Sequence, residues 1–227
     1  NLFIRKLLEN NGYKNYFIGR FSDLLNTSLN YSYTSTIINT NKQILEADIQ
    51  KQLDRWAYPP SKSFWKNRID DVLGYASQRP SIQKSHLRFQ FALPGDYNLT
   101  VDVSEEIAGY VHVNSIDILP TTPGINQNPY PWTGEYFDNI PLKIHARPNL
   151  GYKFKHWEYN GITITDSVLT LNTSSNVSYK AVFEEDLLSE NPLPVAFDVD
   201  KCGYSFKFWD TEATVASFPA SMGFVYM

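Results

Sequence analysis

Apolar positions along the first 88 residues recur three or four positions apart, which is the spacing of a helix. A short apolar segment at residues 2–8 ends at Asn10-Asn11-Gly12, and three longer stripes follow it. The pattern therefore predicts a helical segment with three main helices. Their stripes consist of Tyr13, Phe17, Phe21, Leu24 and Leu25; of Ile37, Ile38, Ile44, Leu45, Ile49, Leu53 and Trp56; and of Trp65, Ile69, Val72, Leu73 and Ala76.

Prolines and short polar side chains set the predicted helix boundaries. Pro59-Pro60 ends the second helix, and Pro80 is expected to start a last short turn toward Leu87. The candidate N-caps are Asn30 or Ser32 for the second helix and Ser61 or Ser63 for the third.

From about Phe89 the pattern changes to an alternation of apolar and polar residues, which favours strands. Turn residues such as Asn160-Gly161 separate the alternating runs. We therefore expect an α+β chain, in which an N-terminal α-helical segment precedes mostly antiparallel β modules. The predicted strands are residues 97–103, 110–114, 142–146, 152–159, 168–171 and 177–183, with two more at 195–197 and 204–209.

These patterns divide the chain into three parts. Residues 1–88 are helical, residues 89–185 are rich in β-structure, and residues 186–227 hold a linker and the start of a further β segment. The stretch at 184–194 is acidic and contains proline, as linkers often do. The chain begins without methionine and its last residues resemble a strand, so we expect it to be cut at both ends.

Composition narrows the classes of function. A net charge of −4 gives no general attraction to nucleic acid, so we expect no nucleic-acid partner. No apolar run is long enough to span a bilayer. The single cysteine, Cys202, cannot form an internal disulfide and has only Lys201 as a basic neighbour, so we do not expect it to be a nucleophile.

Several short motifs follow one another in the helical segment. They are Leu7-Leu8-Glu9-Asn10, Arg20-Phe21, Asp23-Leu24-Leu25-Asn26-Thr27, Arg55-Trp56 and Gln78-Arg79-Pro80. In this order they resemble the end of the CotH (spore coat protein H-like) kinase family, over about the first 88 residues. That family contains atypical protein kinases and kinase-like proteins of spore coats and of the secreted proteins of gut bacteria. The resemblance implies a secreted or cell-surface protein.

The same resemblance implies that the groups of the family that bind ATP and magnesium lie upstream of these motifs. We therefore assign no catalytic, cofactor-binding or metal-binding residue to this chain, and ATP and Mg²⁺ are implied only for an upstream core. Arg55 and Trp56, at the end of the second predicted helix, are candidates to anchor that core, with Arg55 pairing to a carboxylate there.

The β region resembles a bacterial surface repeat of the Listeria–Bacteroides type. The residues that carry this resemblance are Ile140 to Ala146, Gly151-Tyr152-Lys153-Phe154, Trp157, Val168 to Leu171 and Tyr179 to Glu184. Such repeats are small β modules that serve as spacers or adhesive units of extracellular proteins. One copy is visible, with an apparent insertion at residues 129–137.

That insertion holds Tyr130, Trp132 and Tyr136 beside Glu135. A turn-rich loop with three large aromatic side chains is typical of a platform that stacks on sugar rings, and packing of the loop onto the sheet is the alternative. Phe154 and Trp157 have opposite strand parity, so at least one of them must lie at a bend or face outward. We predict that Trp157 belongs to the core.

Metal ligands are sparse in the sequence. Asp198 and Asp200 share one face of a predicted strand and their oxygens suit calcium, but two carboxylates do not complete a calcium shell. His112, His145 and His156 lie on separate predicted strands without the spacing of a zinc site. We expect no metal site.

Two classes of function stay open. In the first, the chain is a fragment of a secreted CotH-like protein that lacks the catalytic core and supplies structural helices and a surface β module. In the second, it is a non-enzymatic adhesion or glycan-binding protein, whose partner is an extracellular protein or a glycan. A purely structural spacer is a third reading.

Overall fold

Five helices form the N-terminal part of the computed structural model, which describes residues 2–186 with their side chains and the backbone of three further strands. The helices are α1 (Leu2–Leu8), α2 (Asn11–Asn26), α3 (Tyr31–Glu46), α4 (Ile49–Trp56) and α5 (Lys62–Phe91). Three of them begin at a side-chain cap. The caps are Asn10, Asn30 and Ser61, which accept from the backbone N–H groups of Tyr13, Tyr33 and Phe64.

The helices differ from the prediction at two places. The second predicted helix is two helices, because the backbone N–H of Asp48 donates to Leu45 in a tight turn between α3 and α4. Pro80 does not start a separate turn but lies inside α5, which is 30 residues long. A proline inside a helix removes one backbone hydrogen bond. Here the end of α5 packs Leu87 against α2 and the sheet, and this burial holds the helix together beyond the proline.

Nine strands follow and form two sheets. They are β1 (Asp96–Val103), β2 (Gly109–Val113), β3 (Ile116–Asp117), β4 (Trp132–Phe137), β5 (Leu142–Pro148), β6 (Tyr152–Tyr159), β7 (Ile162–Ile164), β8 (Val168–Leu171) and β9 (Val177–Glu185). One sheet has the order β4-β1-β9-β6-β7 and the other has the order β3-β2-β5-β8. All pairs are antiparallel except β1 with β9. The predicted α+β class is therefore confirmed.

One apolar core lies between the two sheets, and we call residues 96–186 the β module. Alternate residues of β1 point into this core, among them Leu99 and Val101, which have no exposed surface. The facing sheet contributes Val111, Val113 and Ile144, which are also fully buried. Because β1 lies inside the first sheet between β4 and β9, the module cannot form without it.

A bulge in β6 resolves the conflicting parity of Phe154 and Trp157. Phe154 pairs with Phe183, whereas His156 pairs with Val182, so Lys155 is the extra residue. Both aromatic rings therefore face the same core, with their centroids 5.7 Å apart. Trp157 is fully buried, as predicted.

The backbone of three more strands is described after the β module. These are β10 (Phe197–Asp200), β11 (Gly203–Phe206) and β12 (Ala216–Pro219), which form an antiparallel sheet in that order. Of the predicted linker, residues 187–194 lie outside the described residues, whereas Glu184 and Glu185 belong to β9. Of the predicted strands at 195–197 and 204–209, residues 197 and 204–206 lie in β10 and β11, and the others lie outside the described residues. Cys202 and the side chains of Asp198 and Asp200 also lie outside them.

Deletion of Lys155 tests the bulge. Without the extra residue, either Phe154 or Trp157 must turn to the outer face, so we expect a loss of about 3–5 kcal/mol in the free energy of unfolding, the cost of removing a large aromatic ring from a core. The matched control is Lys155→Ala, which keeps the bulge and leaves this free energy nearly unchanged. Urea denaturation followed by tryptophan fluorescence measures both. Equal stability of the deletion and the control would contradict the role of the bulge.

Candidate functional site

The helices share their buried apolar residues with the β module. Ile18 and Leu25 of α2 and Leu87 of α5 form one cluster with Phe137 of β4, which we call the junction cluster. Partly buried side chains complete it, namely Phe17, Phe21, Phe91, Leu93 and Ile140. Outside this cluster, Ile49 is the only buried apolar residue of the described helices. The helical part therefore has its core at the contact with the sheet.

Asp23 of α2 is the polar centre of this contact and has no exposed surface. One carboxylate oxygen accepts from the Tyr136 hydroxyl at 2.9 Å and from Asn114 Nδ2 at 3.4 Å. The other accepts from the Ser115 backbone N–H at 3.2 Å and from the Ser115 hydroxyl. All four donors belong to the β module, so a single carboxylate joins α2 to the β2–β3 turn and to β4.

Burial dominates the electrostatics of this centre. It raises the pKa of the Asp23 carboxyl above its usual value, and the hydrogen bonds from Ser115, Tyr136 and Asn114 oppose the rise. Burial also raises the pKa of Tyr136 well above its usual value, and the nearby Asp23 charge adds to this. The Tyr136 hydroxyl therefore stays protonated and remains a donor.

Asn26 of α2 occupies the free edge of β4. Its amide nitrogen donates to the Glu135 carbonyl at 2.9 Å, and its amide oxygen accepts from the Glu135 N–H at 3.0 Å. The side chain thus pairs with the strand as a neighbouring strand would. Lys84 of α5 forms an ion pair with the Glu135 carboxylate, and Arg88 pairs with Asp96. Because β4 is an edge strand, the Asn26 contacts cover backbone groups that are otherwise open to pairing.

Gly124 makes a close backbone approach between the two parts. It has φ +85° and packs against Thr27 at the end of α2, where an added Cβ would lie 2.3 Å from the Thr27 carbonyl oxygen. The Thr27 side chain is buried and its hydroxyl donates to the Asp23 carbonyl. The loop before β4 therefore fits the helix end only with glycine at this position.

The predicted sugar-stacking platform is not exposed in the structure. Trp132 and Tyr136 lie in β4 rather than in a loop, with 8% and 3% of their surface exposed. The Tyr130 hydroxyl donates to the Ile118 carbonyl and accepts from the Val111 N–H, which ties it to the core. Stacking on a sugar needs a free ring face, so the structure corrects this interpretation in favour of packing onto the sheet.

Two of the three histidines that the sequence places on separate strands lie next to each other in the structure. His112 and His145 are cross-strand partners on β2 and β5, and the His112 Nδ1 contacts Asp117 Oδ1 at 2.7 Å. His156 lies elsewhere, on β6. Within residues 2–186, no three histidine, cysteine, aspartate or glutamate side chains come together to hold a metal. This part of the chain therefore offers no such cluster for a magnesium ion.

The outer faces of the helices carry most of the exposed large apolar side chains. Trp56 is 62% exposed and its ring lies under the Arg55 guanidinium at 5.1 Å. The other exposed members before residue 90 are Leu2, Phe3, Ile4, Tyr16, Leu29, Tyr31, Ile37, Ile44, Leu45, Tyr58, Phe64, Val72, Tyr75, Ile82 and Phe89. In the β module there are four, Ile107, Leu150, Ile162 and Val168.

Comparison with known families identifies two segments. Residues 1–82 match the family model of the CotH kinase protein, and residues 128–187 match that of the divergent InlB B-repeat domain. The chain thus has a segment similar to the CotH kinase protein followed by one similar to a bacterial surface repeat, and both resemblances are confirmed. No curated protein and no solved structure matched the chain. No helix among the described residues is long and apolar enough to cross a bilayer.

The repeat match changes the interpretation of residues 129–137. The match begins at residue 128, so this stretch falls within the matched range, and it contains β4. Between the two matches lie residues 83–127, which hold the end of α5, strands β1 to β3 and much of the junction. Leu87, Asn114, Ser115 and Gly124 all fall in this stretch. Neither motif set extends to these residues, and sequence reasoning therefore missed the junction.

Two glycine substitutions test the contact of Gly124 with α2. Gly124→Ala and Gly161→Ala each place alanine at a similar positive φ, +85° and +78°, but only Gly124 has backbone within reach of the new Cβ. Both variants should lose about 1–2 kcal/mol from the left-handed conformation. Gly124→Ala should lose about 1–3 kcal/mol more because its methyl group overpacks the junction. Thermal unfolding measures the difference, and equal losses would contradict the tight contact.

Proposed function

We propose that this chain supplies a structural helical segment and a rigid surface module to a longer CotH-like surface protein. In this proposal the exposed faces of the helices pack against the remainder of a CotH domain. The ATP- and magnesium-binding groups belong to that remainder, and the protein acts outside the cell or at its surface. The two family matches support the CotH-like and surface-repeat character.

The distribution of apolar surface carries the proposal. The β module encloses a complete core, whereas α1 and α3 have no buried residue at all. An isolated helical domain would turn its apolar stripes inward, because contiguous exposed apolar patches are costly in water. Here the stripes of α3, α4 and α5 remain largely open, so they are suited to a further protein surface.

A groove between α3 and α5 is one of these open surfaces. It has a volume of about 630 Å³ and is lined by apolar side chains from both helices, including Ile37 and Ile38 on one side and Val72 and Tyr75 on the other. Phe21 and Leu25 lie at its base and connect it to the junction cluster. A segment seated in the groove would extend the junction cluster along the helices.

The end of α4 offers a second contact. Trp56, with Arg55 above its ring, borders a smaller groove shared with Leu45 and Trp65. We propose that Arg55 and Trp56 anchor the remaining CotH domain, with the guanidinium paired to a carboxylate of that domain.

Cysteine labelling tests the covered faces. Ile44→Cys, Tyr75→Cys and Ile162→Cys introduce single thiols at positions of similar exposure, 64%, 60% and 60%, in a Cys202→Ser background. The rate of labelling is compared between this chain and the full-length natural protein. We expect labelling at 44 and 75 to slow by about tenfold or more in the full-length protein, since closed packing must open first.

The control at position 162 lies on the β module and should be labelled at the same rate in both proteins. Undiminished labelling at 44 and 75 in the full-length protein would show that these faces remain open, and the proposal would fail.

A further inference from the structure

The basic side chains of the β module fall into two groups. Lys153 and Lys155 pair with Glu184 at 3.5 and 3.2 Å, and Lys180 lies 3.9 Å from Asp102. Lys143 and Arg147 are the remaining two, and neither forms an ion pair with any residue in the described part of the chain. Two unpaired cations on a small module leave a local positive charge, although the chain as a whole is acidic.

Both unpaired cations lie on the outer face of β5. Leu142, Ile144 and Ala146 point into the core, so Lys143, His145 and Arg147 point outward in a row. Alternate residues of a strand lie about 6.6–6.8 Å apart. Burial is the main cause of the lowered pKa of His145, and the charges of Arg147, His112 and Lys143 lower it further. The charges of the row therefore act on one another.

The strands beside this row add little negative charge. On one side Tyr110 pairs with Arg147 and His112 pairs with His145, and on the other side Val168 and Thr170 of β8 face the row. Asp117 lies beside the row and already contacts the His112 ring. We call Lys143, His145 and Arg147 the basic row.

The basic row continues into a cleft between α2 and the β module. This cleft has a volume of about 200 Å³ and is lined by Lys143, Arg20 and Tyr16. Asp23 also lines it, but its two carboxylate oxygens already accept four hydrogen bonds from the β module. Arg20 is held in place by one guanidinium nitrogen, which donates to the Ser115 hydroxyl at 2.8 Å. Tyr16 is 64% exposed, so its ring is available for stacking. The junction therefore brings a third cation and an aromatic ring to the end of the row.

We propose that the basic row and this cleft bind a linear acidic polysaccharide, with its carboxylates along Arg147, Lys143 and Arg20 and a sugar ring against Tyr16. Regularly spaced cations suit a polymer that carries a charge on successive units. The exposed aromatic ring and the Asn15 amide in the same cleft suit a sugar ring and its hydroxyl groups. This binding function goes beyond the structural role proposed above and does not depend on it.

Two double variants with equal loss of charge test this site. Lys143→Ala/Arg147→Ala removes both cations of the row, and Lys153→Ala/Lys155→Ala removes two paired cations from the other sheet. The probe is polygalacturonate, with uncharged dextran and single-stranded DNA as comparison polymers. We expect the unmodified chain to bind polygalacturonate in a salt-dependent way and to bind the other two weakly. The row variant should weaken binding about tenfold or more, and the control should stay within about twofold.

Tyr16→Ala should also weaken binding of polygalacturonate, because the stacked ring is lost. Circular dichroism of each variant verifies that it is folded. Absence of binding, equal loss in the two double variants, or DNA binding as tight as that of polygalacturonate would each overturn the proposal.

Discussion

The buried carboxylate of Asp23 is the interaction on which the relation between the two parts depends. A carboxylate without solvent must receive hydrogen bonds, since an unpaired buried charge costs several kcal/mol. In this protein every donor comes from the β module, from the β2–β3 turn and from Tyr136. Separation of α2 from the module would break all four of these hydrogen bonds and expose the groups to water. The junction cluster and the Asn26 pairing with β4 add further contacts between the same two parts.

The junction also explains why neither family segment stands alone here. The helices have almost no buried apolar residues away from the sheet, and the edge of β4 is covered by α2 and α5. The repeat match omits β1, yet β1 lies between β4 and β9 in the first sheet. Residues between the two matches therefore complete the repeat and attach it to the helices. A flexible spacer would need a linker with few contacts at this point, and the structure has the opposite.

Much of the fold follows from local pattern in the sequence. The caps Asn30 and Ser61, six of the nine strands of the module and the buried Trp157 were predictable from spacing and side-chain chemistry. Strand β4 was not, because prolines precede it and Gly134 interrupts its apolar alternation. That glycine leaves room for the Trp132 ring, which an added Cβ would meet at 2.3 Å. The continuation of α5 through Pro80 and the bulge at Lys155 depend on tertiary packing, which local pattern does not contain.

The candidate sites show the same division. Trp132 and Tyr136 of the apparent insertion belong to the core. The cations of β5 stand out as a candidate site only because the structure shows that Lys153 and Lys155 are paired with Glu184. Arg20 and Lys143 are 123 positions apart in sequence and line one cleft only because the junction brings α2 to the sheet. The open faces of the helices suit an apolar protein surface, whereas the basic row suits an anionic ligand. Under the two proposals they are separate surfaces with separate partners.

The distance between the helices and the sheet is the most direct measure of the rigid junction. Spin labels at Gln78→Cys on α5 and Thr163→Cys on β7, in a Cys202→Ser background, place one probe on an exposed site of each part. Double electron–electron resonance then gives the distribution of distances between the two labels. The account predicts one narrow distribution, as expected for a single body. A broad distribution that spans several separations would contradict it and would show that the helices and the module move independently.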